Sequence, residues 1–168
     1  MVNTGLTRIY ANQNTDGGWG WWSNDSSRSY ISAYVLYGLS LAQKAGCKVN
    51  PECIKRAKNC LKEKIKNVEN IDEKTYLLFS LTQAGEFNKT DLEEIYKNRT
   101  EINSYSLALL TLIYSEQKEN QRATQLLEEL YKRRTVLSPS ISYWKTERAG
   151  YYGWMNSDVE ATAWALKA

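Results

Sequence analysis

Two kinds of helical pattern alternate along the chain. The segments 30–45, 75–84 and 103–114 are apolar on nearly every face of a helix, whereas the segments 50–66 and 121–134 carry one apolar stripe opposite charged residues. A helix that is apolar all round must be enclosed, and a helix with a single apolar stripe can cover it on the solvent side. The pattern therefore predicts two layers of helical hairpins with the apolar helices inside.

This alternation predicts an all-α fold in which inner helices are concentric with outer ones. We expect an α/α toroid that is built of helical hairpins and is incomplete within these residues. The competing architecture is a superhelical array of helical repeats, which has a regular period of about 34 or 40 residues. The apolar helices begin near residues 31, 75, 103 and 159, and this irregular spacing favours the toroid.

Residues typical of helix ends mark the boundaries between these segments. A glycine in the left-handed region commonly ends a helix, and Asn, Ser or Thr often begins one. Such boundaries are predicted after apolar segments at Gly46 and Gly85, at the start Asn50-Pro51, and at the capping boxes Thr90-x-x-Glu93 and Ser157-x-x-Glu160. The stretch 137–156 is predicted to be a loop.

Composition limits the classes of protein that the chain can belong to. Its length of 168 residues predicts one domain, residues 1–168, and 42% hydrophobic residues are enough for a core. A scattered net charge of +3 argues against a nucleic-acid partner. The sequence has no histidine, the commonest general base and metal ligand, so we expect no metal site and no cofactor.

The three cysteines are not arranged as metal ligands. Cys53 and Cys60 are seven residues apart, so they share one helix face and are expected in the core, and no Cys-x-x-Cys pair includes Cys47.

No apolar run is long enough to cross a membrane. The chain begins with a helix-like segment and stops within another, so we expect it to have been cut from a larger multidomain protein.

The most distinctive stretch is the Trp-rich turn, residues 13–22. Three of the six tryptophans fall within four residues here, at Trp19, Trp21 and Trp22, beside three glycines. A second aromatic segment near the other end contains Tyr152 and Trp154. Large aromatic rings bury much apolar area, so these five residues are candidates either to line a pocket or to pin helical hairpins together. Of the two roles, pinning is favoured.

Three phrases together resemble a known family. Gln13-x-x-Asp16-Gly17-Gly18-Trp19-Gly20-Trp21-Trp22, then residues 33–36, then Asp158-Val159-Glu160-Ala161-Thr162-Ala163 are similar in order and approximate separation to the thioester domain of alpha-2-macroglobulin-like proteins of the bacterial type. The resemblance extends over nearly the whole chain. It marks Gln13, Gly17, Gly18 and Glu160 as structural positions of the motif.

The resemblance implies a function as well as a fold. It implies the C-terminal part of an α/α toroid in a secreted or periplasmic endopeptidase inhibitor, which traps proteases and is not an enzyme. The implied partners are neighbouring domains of the parent chain and, through the full-length protein, proteases. Most members of the family also carry a Cys–Gln thioester that acylates the attacking protease.

The thioester motif itself is absent from this sequence. The family motif is Cys-x-Glu-Gln, and none of Cys47, Cys53 and Cys60 has glutamine three residues later. In the family the motif precedes the Trp-rich turn, so this chain is expected to shelter or present the trapping site without forming the bond. A thioester survives only where water is excluded, and the aromatic segments are candidates to exclude it.

Other functions remain open at this point. Gln13-x-x-x-Gly17-x-Trp19 is also similar to a structural motif of triterpene cyclases, which are α/α toroids, although their Asp-x-Asp-Asp acid is missing. Protein prenyltransferases share the toroid but bind zinc with a set that includes histidine. An enzyme fragment whose catalytic residues lie elsewhere, or a stand-alone helical interaction module, are the alternatives.

A carbohydrate-active enzyme on this fold would need paired carboxylates. Asp16, Asp158 and Glu160 are available, but a turn acid and two acids in the first turn of a helix explain them more simply.

Finally, an incomplete toroid should leave apolar surface uncovered near Leu6 and near Trp164. Self-association through such surface is expected.

Overall fold

The computed structural model describes residues 2–23, 25–146 and 157–168. Within these residues the chain forms eight α-helices, one short 3-10 helix at Ile65–Asn67 and a two-stranded antiparallel sheet. The helices are α1 (Val2–Ala11), α2 (Ser29–Lys44), α3 (Pro51–Lys64), α4 (Ile71–Gln83), α5 (Lys89–Lys97), α6 (Ser104–Glu116), α7 (Asn120–Lys132) and α8 (Asp158–Lys167). The strands are β1 (Thr135–Ser138) and β2 (Ile141–Tyr143). The predicted all-α fold class is confirmed.

The residues group into two compact units, of which the first comprises Met1–Asn70 and Tyr76–Lys89. In this unit α2 packs on α3. Helix α3 is amphipathic as predicted, because its apolar residues are buried and its charged residues stay partly or fully exposed. Lys58 and Lys62 form ion pairs with Glu86 at 2.8 and 2.5 Å, and hydrogen bonds from both lysines hold the pKa of Glu86 below its usual value.

The second unit comprises Ile71–Thr75 and Thr90–Ala168. Helix α6 packs on both α7 and α8, and ten of its 13 residues are buried, as its apolar sequence predicts. The side chain of Asn103 caps α6 by accepting the N–H of Ser106 at 2.8 Å. Helix α7 buries Leu126 and Leu130 on one face.

Most predicted helix boundaries are confirmed. Gly46 and Gly85 have φ of +84° and +83°, Asn50 accepts the N–H of Glu52 at 3.0 Å, and Ser157 accepts the N–H of Glu160 at 3.1 Å. The boundary at Thr90 differs, because α5 begins at Lys89 and Thr90 therefore lies inside the first turn. Among the described residues, no helix combines the length and the apolar character that a membrane crossing requires.

The predicted loop 137–156 begins with a β-hairpin, which is a correction. Strand β1 pairs antiparallel with β2, and Val136 lies opposite Ser142. Just after β2 the indole N–H of Trp144 donates to the carbonyl of Leu130 at 2.6 Å. The strands are too short, and their apolar residues too exposed, to produce the alternation that identifies a half-buried strand.

Helix α2 is less enclosed than its apolar sequence predicts. Ala33 and Leu36 are fully buried, but Tyr34 and Leu41 are 62% and 42% exposed. Together with Gly38 they form one stripe, since residues spaced four and three apart share a helix face. Apolar composition sets what a helix is able to bury, whereas its neighbours decide which face is covered.

The expected exposed surface near Leu6 is also not found at that residue. Leu6 is only 7% exposed, whereas Val2 of the same helix is 56% exposed. Near Trp164 the structure does expose apolar side chains, as expected. Helix α8 exposes Val159 and Leu166 by 79% and 75%.

Candidate functional site

The Trp-rich turn connects α1 to α2, and Gln13 fixes it to α3. The amide Nε2 of Gln13 donates to the carbonyl of Gly17 at 2.9 Å and to the carbonyl of Cys53 at 2.9 Å. The first bond closes the turn, and the second joins it to a helix that begins 38 residues further along the chain. One side chain therefore sets both the shape of the turn and its place against α3.

Trp19 attaches the same turn to α1 and α2. Its backbone N–H donates to the hydroxyl of Ser32 at 2.9 Å, and its indole N–H donates to the carbonyl of Ile9 at 2.9 Å. The side chain is 4% exposed. A buried tryptophan whose N–H is satisfied contributes its full apolar area without leaving an unpaired donor.

Glycine is required at Gly17 and Gly18, among other positions of the turn, because other chain segments come very close. Gly17 has φ of +90°, and a Cβ there would lie 2.4 Å from the carbonyl oxygen of Arg56. A Cβ on Gly18 would lie 2.6 Å from the Cβ of Ser27. The guanidinium of Arg56 in turn donates to the carbonyl of Asn14 at 2.6 Å, which holds α3 against the turn.

Asp16 caps the turn with its carboxylate. Its Oδ1 accepts the N–H of Gly18 at 3.0 Å and the hydroxyl of Ser27 at 2.6 Å, and Lys64 lies 3.9 Å from Oδ2. Burial by itself would raise the pKa of Asp16. The hydrogen bonds from Ser27 and Gly18 and the charge of Lys64 outweigh it and lower the pKa below its usual value.

The other two tryptophans of the turn are on the surface. Trp21 is 48% exposed and Trp22 is 82% exposed, and both line an open cleft of about 390 Å³ with Arg8 and Asn12. Within the described part of the chain, the rings of Trp21 and Trp22 are therefore exposed, whereas that of Trp19 is buried. The sequence alone did not separate Trp19 from its two neighbours, because all three are of one residue type and lie next to the same glycines.

The second aromatic segment precedes two carboxylates at the start of α8. Tyr152 and Trp154 lie outside the described residues. Glu160 is half-buried, and burial raises its pKa. Asp158 accepts the backbone N–H of Thr146 at 2.8 Å, and this bond ties the start of α8 to the residues after β2.

The cysteines are reduced thiols, and two of them are in the core. Cys53 and Cys60 are 4% and 6% exposed. Burial raises the pKa of both, that of Cys60 to about 11, so they are protonated and unreactive at neutral pH. Within the described ranges, no group of three acidic, cysteine or histidine side chains is placed to hold a metal ion.

Two residues that complete this site were not identified from the sequence. Ser32 accepts the N–H of Trp19, and Arg56 binds the carbonyl of Asn14. A small polar residue near the start of an apolar helix was a possible signal for Ser32, which is fully buried. Arg56 gave no such signal, because it is one of many basic residues on an amphipathic helix.

Comparison with known proteins shows similarity to one region of much larger chains. No protein-family model matches the chain. Over 56 residues it is 36% identical to an alpha-2-macroglobulin of Thermotoga maritima, a stretch that covers 33% of this chain and 4% of that protein. The chain thus spans a small fraction of its curated relative.

Solved structures of bacterial alpha-2-macroglobulins share the fold. Salmonella alpha-2-macroglobulin reacted with methylamine matches 99% of this chain and 13% of its own with a TM-score of 0.72 and 17% identity. Trypsin-activated alpha-2-macroglobulin from Escherichia coli matches 78% of this chain and 10% of its own with a TM-score of 0.67 and 19% identity. At these identities the likeness establishes a common all-helical fold.

Proposed function

We propose that the chain is part of an alpha-2-macroglobulin-like endopeptidase inhibitor and forms the C-terminal part of its thioester-type α/α toroid. The observation that carries the proposal is the match of 99% of the chain to one region of Salmonella alpha-2-macroglobulin. The 36% identity to the Thermotoga maritima protein supports it independently, because it compares sequence and not fold. The parent protein would then be extracellular or periplasmic.

In this proposal Gln13, Gly17, Gly18 and Trp19 are the residues that pin hairpins together. Their support is the set of bonds from the Trp-rich turn to α1, α2 and α3. The exposed stripe on α2 supports an incomplete ring, because an inner helix of a toroid needs neighbours on both sides. The role is structural and not enzymatic.

The chain would shelter a protease-trapping site without itself forming a thioester. Its three cysteines lack the Gln that the bond requires, and two of them are buried as protonated thiols. Lining of a dry pocket by Trp21 and Trp22 would require cover from other parts of the parent protein, since both rings are exposed in this structure.

The complete gene product tests this proposal. Its sequence is expected to contain Cys-x-Glu-Gln upstream of Met1, and methylamine is expected to release one additional thiol per chain. A variant with serine in place of the motif cysteine should release none, and the 168-residue chain should show no methylamine-dependent change. Trypsin should become linked to the parent in a band of high mass on a denaturing gel.

Two outcomes would contradict the proposal. One is an upstream half that carries Asp-x-Asp-Asp, which would favour an enzyme of the terpene-cyclase kind. The other is a parent protein that contains the motif but neither releases a thiol nor captures trypsin.

A further inference from the structure

Two clefts in the first unit flank the Trp-rich turn, and the proposed function assigns no ligand to either. The larger one has a volume of about 690 Å³ and lies between the turn and α3. The smaller one, of about 390 Å³, is the cleft that Trp21 and Trp22 line. Asn12 and Ser23 line both, and the hydroxyl of Ser23 donates to Oδ1 of Asn12 at 2.7 Å. The two clefts therefore meet at one hydrogen-bonded pair.

The larger cleft is lined by many polar side chains and carries little net charge. Its lining consists mainly of amides, hydroxyls and carboxylates, among them Asn14, Thr15, Asp25 and Ser26. The single cation, Lys64, already lies near Asp16 and donates to the carbonyl of Ser27. Among the described lining residues, two carboxylates against one ammonium do not favour a phosphate or sulfate.

Several polar groups of this lining are available to a ligand. Within the described residues, the hydroxyls of Thr15 and Ser26 make no hydrogen bond to the protein. Asp25 uses one carboxylate oxygen to accept the N–H of Trp21 at 3.3 Å. A hydroxyl both donates and accepts, and a carboxylate oxygen accepts, so the set matches the hydroxyl groups of a neutral sugar ring.

The smaller cleft supplies the complementary apolar surface. The ring of Trp22 is 82% exposed, which leaves a large apolar face in water. The face of an indole carries partial negative charge, and the C–H groups on one face of a pyranose carry partial positive charge. Stacking of the two removes apolar area from water while the hydroxyl groups at the edge of the sugar stay free to form hydrogen bonds.

We propose that the Trp-rich turn binds a neutral oligosaccharide. One sugar ring stacks on Trp22, and a neighbouring ring places its hydroxyls against Thr15, Asp25 and Ser26 in the larger cleft. Because the clefts meet at the Asn12–Ser23 pair, the ligand contains at least two sugar units. This inference is independent of the protease-trapping proposal, since it rests on the surface of the first unit alone.

Titration of the 168-residue chain with neutral oligosaccharides tests the inference. The probes are tetrasaccharides of N-acetylglucosamine, glucose and mannose, followed by tryptophan fluorescence and calorimetry. At least one is expected to bind saturably with a dissociation constant between about 10 μM and 1 mM. The probe that binds distinguishes a cell-wall or chitin type of glycan from a glycoprotein mannose chain.

Matched variants locate the binding site. Trp22→Ala is expected to weaken binding at least about tenfold, whereas Tyr34→Ala, which removes an aromatic ring that is 62% exposed on α2, should leave affinity unchanged. If Trp22→Ala does not fold by circular dichroism, Trp22→Phe keeps a ring at the position and should bind with intermediate affinity.

Three results would overturn the inference. The first is the absence of saturable binding by all three probes up to about 10 mM, a range in which even weak specific binding is detected. The second is equal binding by the wild-type chain and Trp22→Ala. The third is tighter binding of a sulfated oligosaccharide than of any neutral one, because it would indicate attraction to basic residues elsewhere.

Discussion

At the scale of single residues, the Trp-rich turn is held by side chains that each bond a different part of the first unit. The side chain of Gln13 donates a hydrogen bond to the backbone of α3. The indole N–H of Trp19 donates one to the backbone of α1, and the backbone N–H of Trp19 donates one to Ser32 of α2. Buried donors of this kind are costly to leave unpaired, so loss of one partner affects more than one element. The glycines beside them matter because they allow these segments to approach.

Gly17→Ala is expected to destabilise the chain strongly. Its φ of +90° disfavours any side chain, and the new Cβ would lie 2.4 Å from the carbonyl oxygen of Arg56. Gly46→Ala is the matched control, since its φ is +84° but no atom lies within 4 Å of the new Cβ. We expect a loss of about 1–2 kcal/mol for the control from backbone strain. Overpacking adds about 1–3 kcal/mol for Gly17→Ala. Equal losses in urea unfolding would contradict the close approach.

Asp16 makes the stability of the turn dependent on pH. Its pKa is lower in the folded chain than in the unfolded chain, so its contribution is fully present above the unfolded pKa, near 3.8. It is lost as the pH falls through the lower, folded pKa. The stability advantage of the wild-type chain over Asp16→Asn in urea unfolding should therefore shrink between neutral pH and about pH 2.5. An advantage that does not change with pH would show that the charge of Asp16 is unimportant.

The sequence indicated which residues build this turn but not what they bind. Gln13, Gly17 and Trp19 form a recognisable local motif, whereas the carbonyl of Cys53 lies 40 residues away and comes close only through the packing of α3. The difference in burial between Trp19 and Trp22 is likewise a tertiary effect. The role of a residue is predictable where it depends on neighbours in the sequence, and not where it depends on a distant backbone group.

At the scale of elements, helices were predictable because their signals are local. Apolar periodicity and caps such as Asn50 and Ser157 depend on residues within one or two turns. The hairpin of β1 and β2 was missed, since it has few residues and exposes Val136, Leu137 and Ile141. Its position is held by Trp144, whose bond to Leu130 belongs to tertiary structure.

Helix α2 provides a test of its exposed face. Gly38 lies within the exposed stripe, and a Cβ at this position would have no atom within 4 Å. Because glycine destabilises the interior of a helix by about 0.5–1 kcal/mol relative to alanine, Gly38→Ala should stabilise the chain by that amount. Gly5→Ala is the control in α1, where a position near the helix end should gain less. Destabilisation by Gly38→Ala in urea unfolding would mean that this face is covered in solution.

At the scale of the whole molecule, each of the two units leaves an apolar stripe of one helix exposed. Tyr34, Gly38 and Leu41 form one on α2, and Val159, Ala163 and Leu166 form a similar one on α8. Contiguous exposed apolar surface of this kind favours association with another surface.

The stripe on α8 should therefore make the chain associate with itself. We expect the weight-average mass in sedimentation equilibrium to rise between about 10 μM and 1 mM, the range of weak protein association. Leu166→Lys should suppress the rise, because it places a charge in the stripe at the end of the helix where a cation is favourable. Val2→Lys is the control, since Val2 is an apolar residue that is 56% exposed on α1. A weight-average mass equal to that of the monomer at every concentration would instead show that these helices need no partner. The exposed stripes would then no longer support a ring that other segments of the parent protein complete.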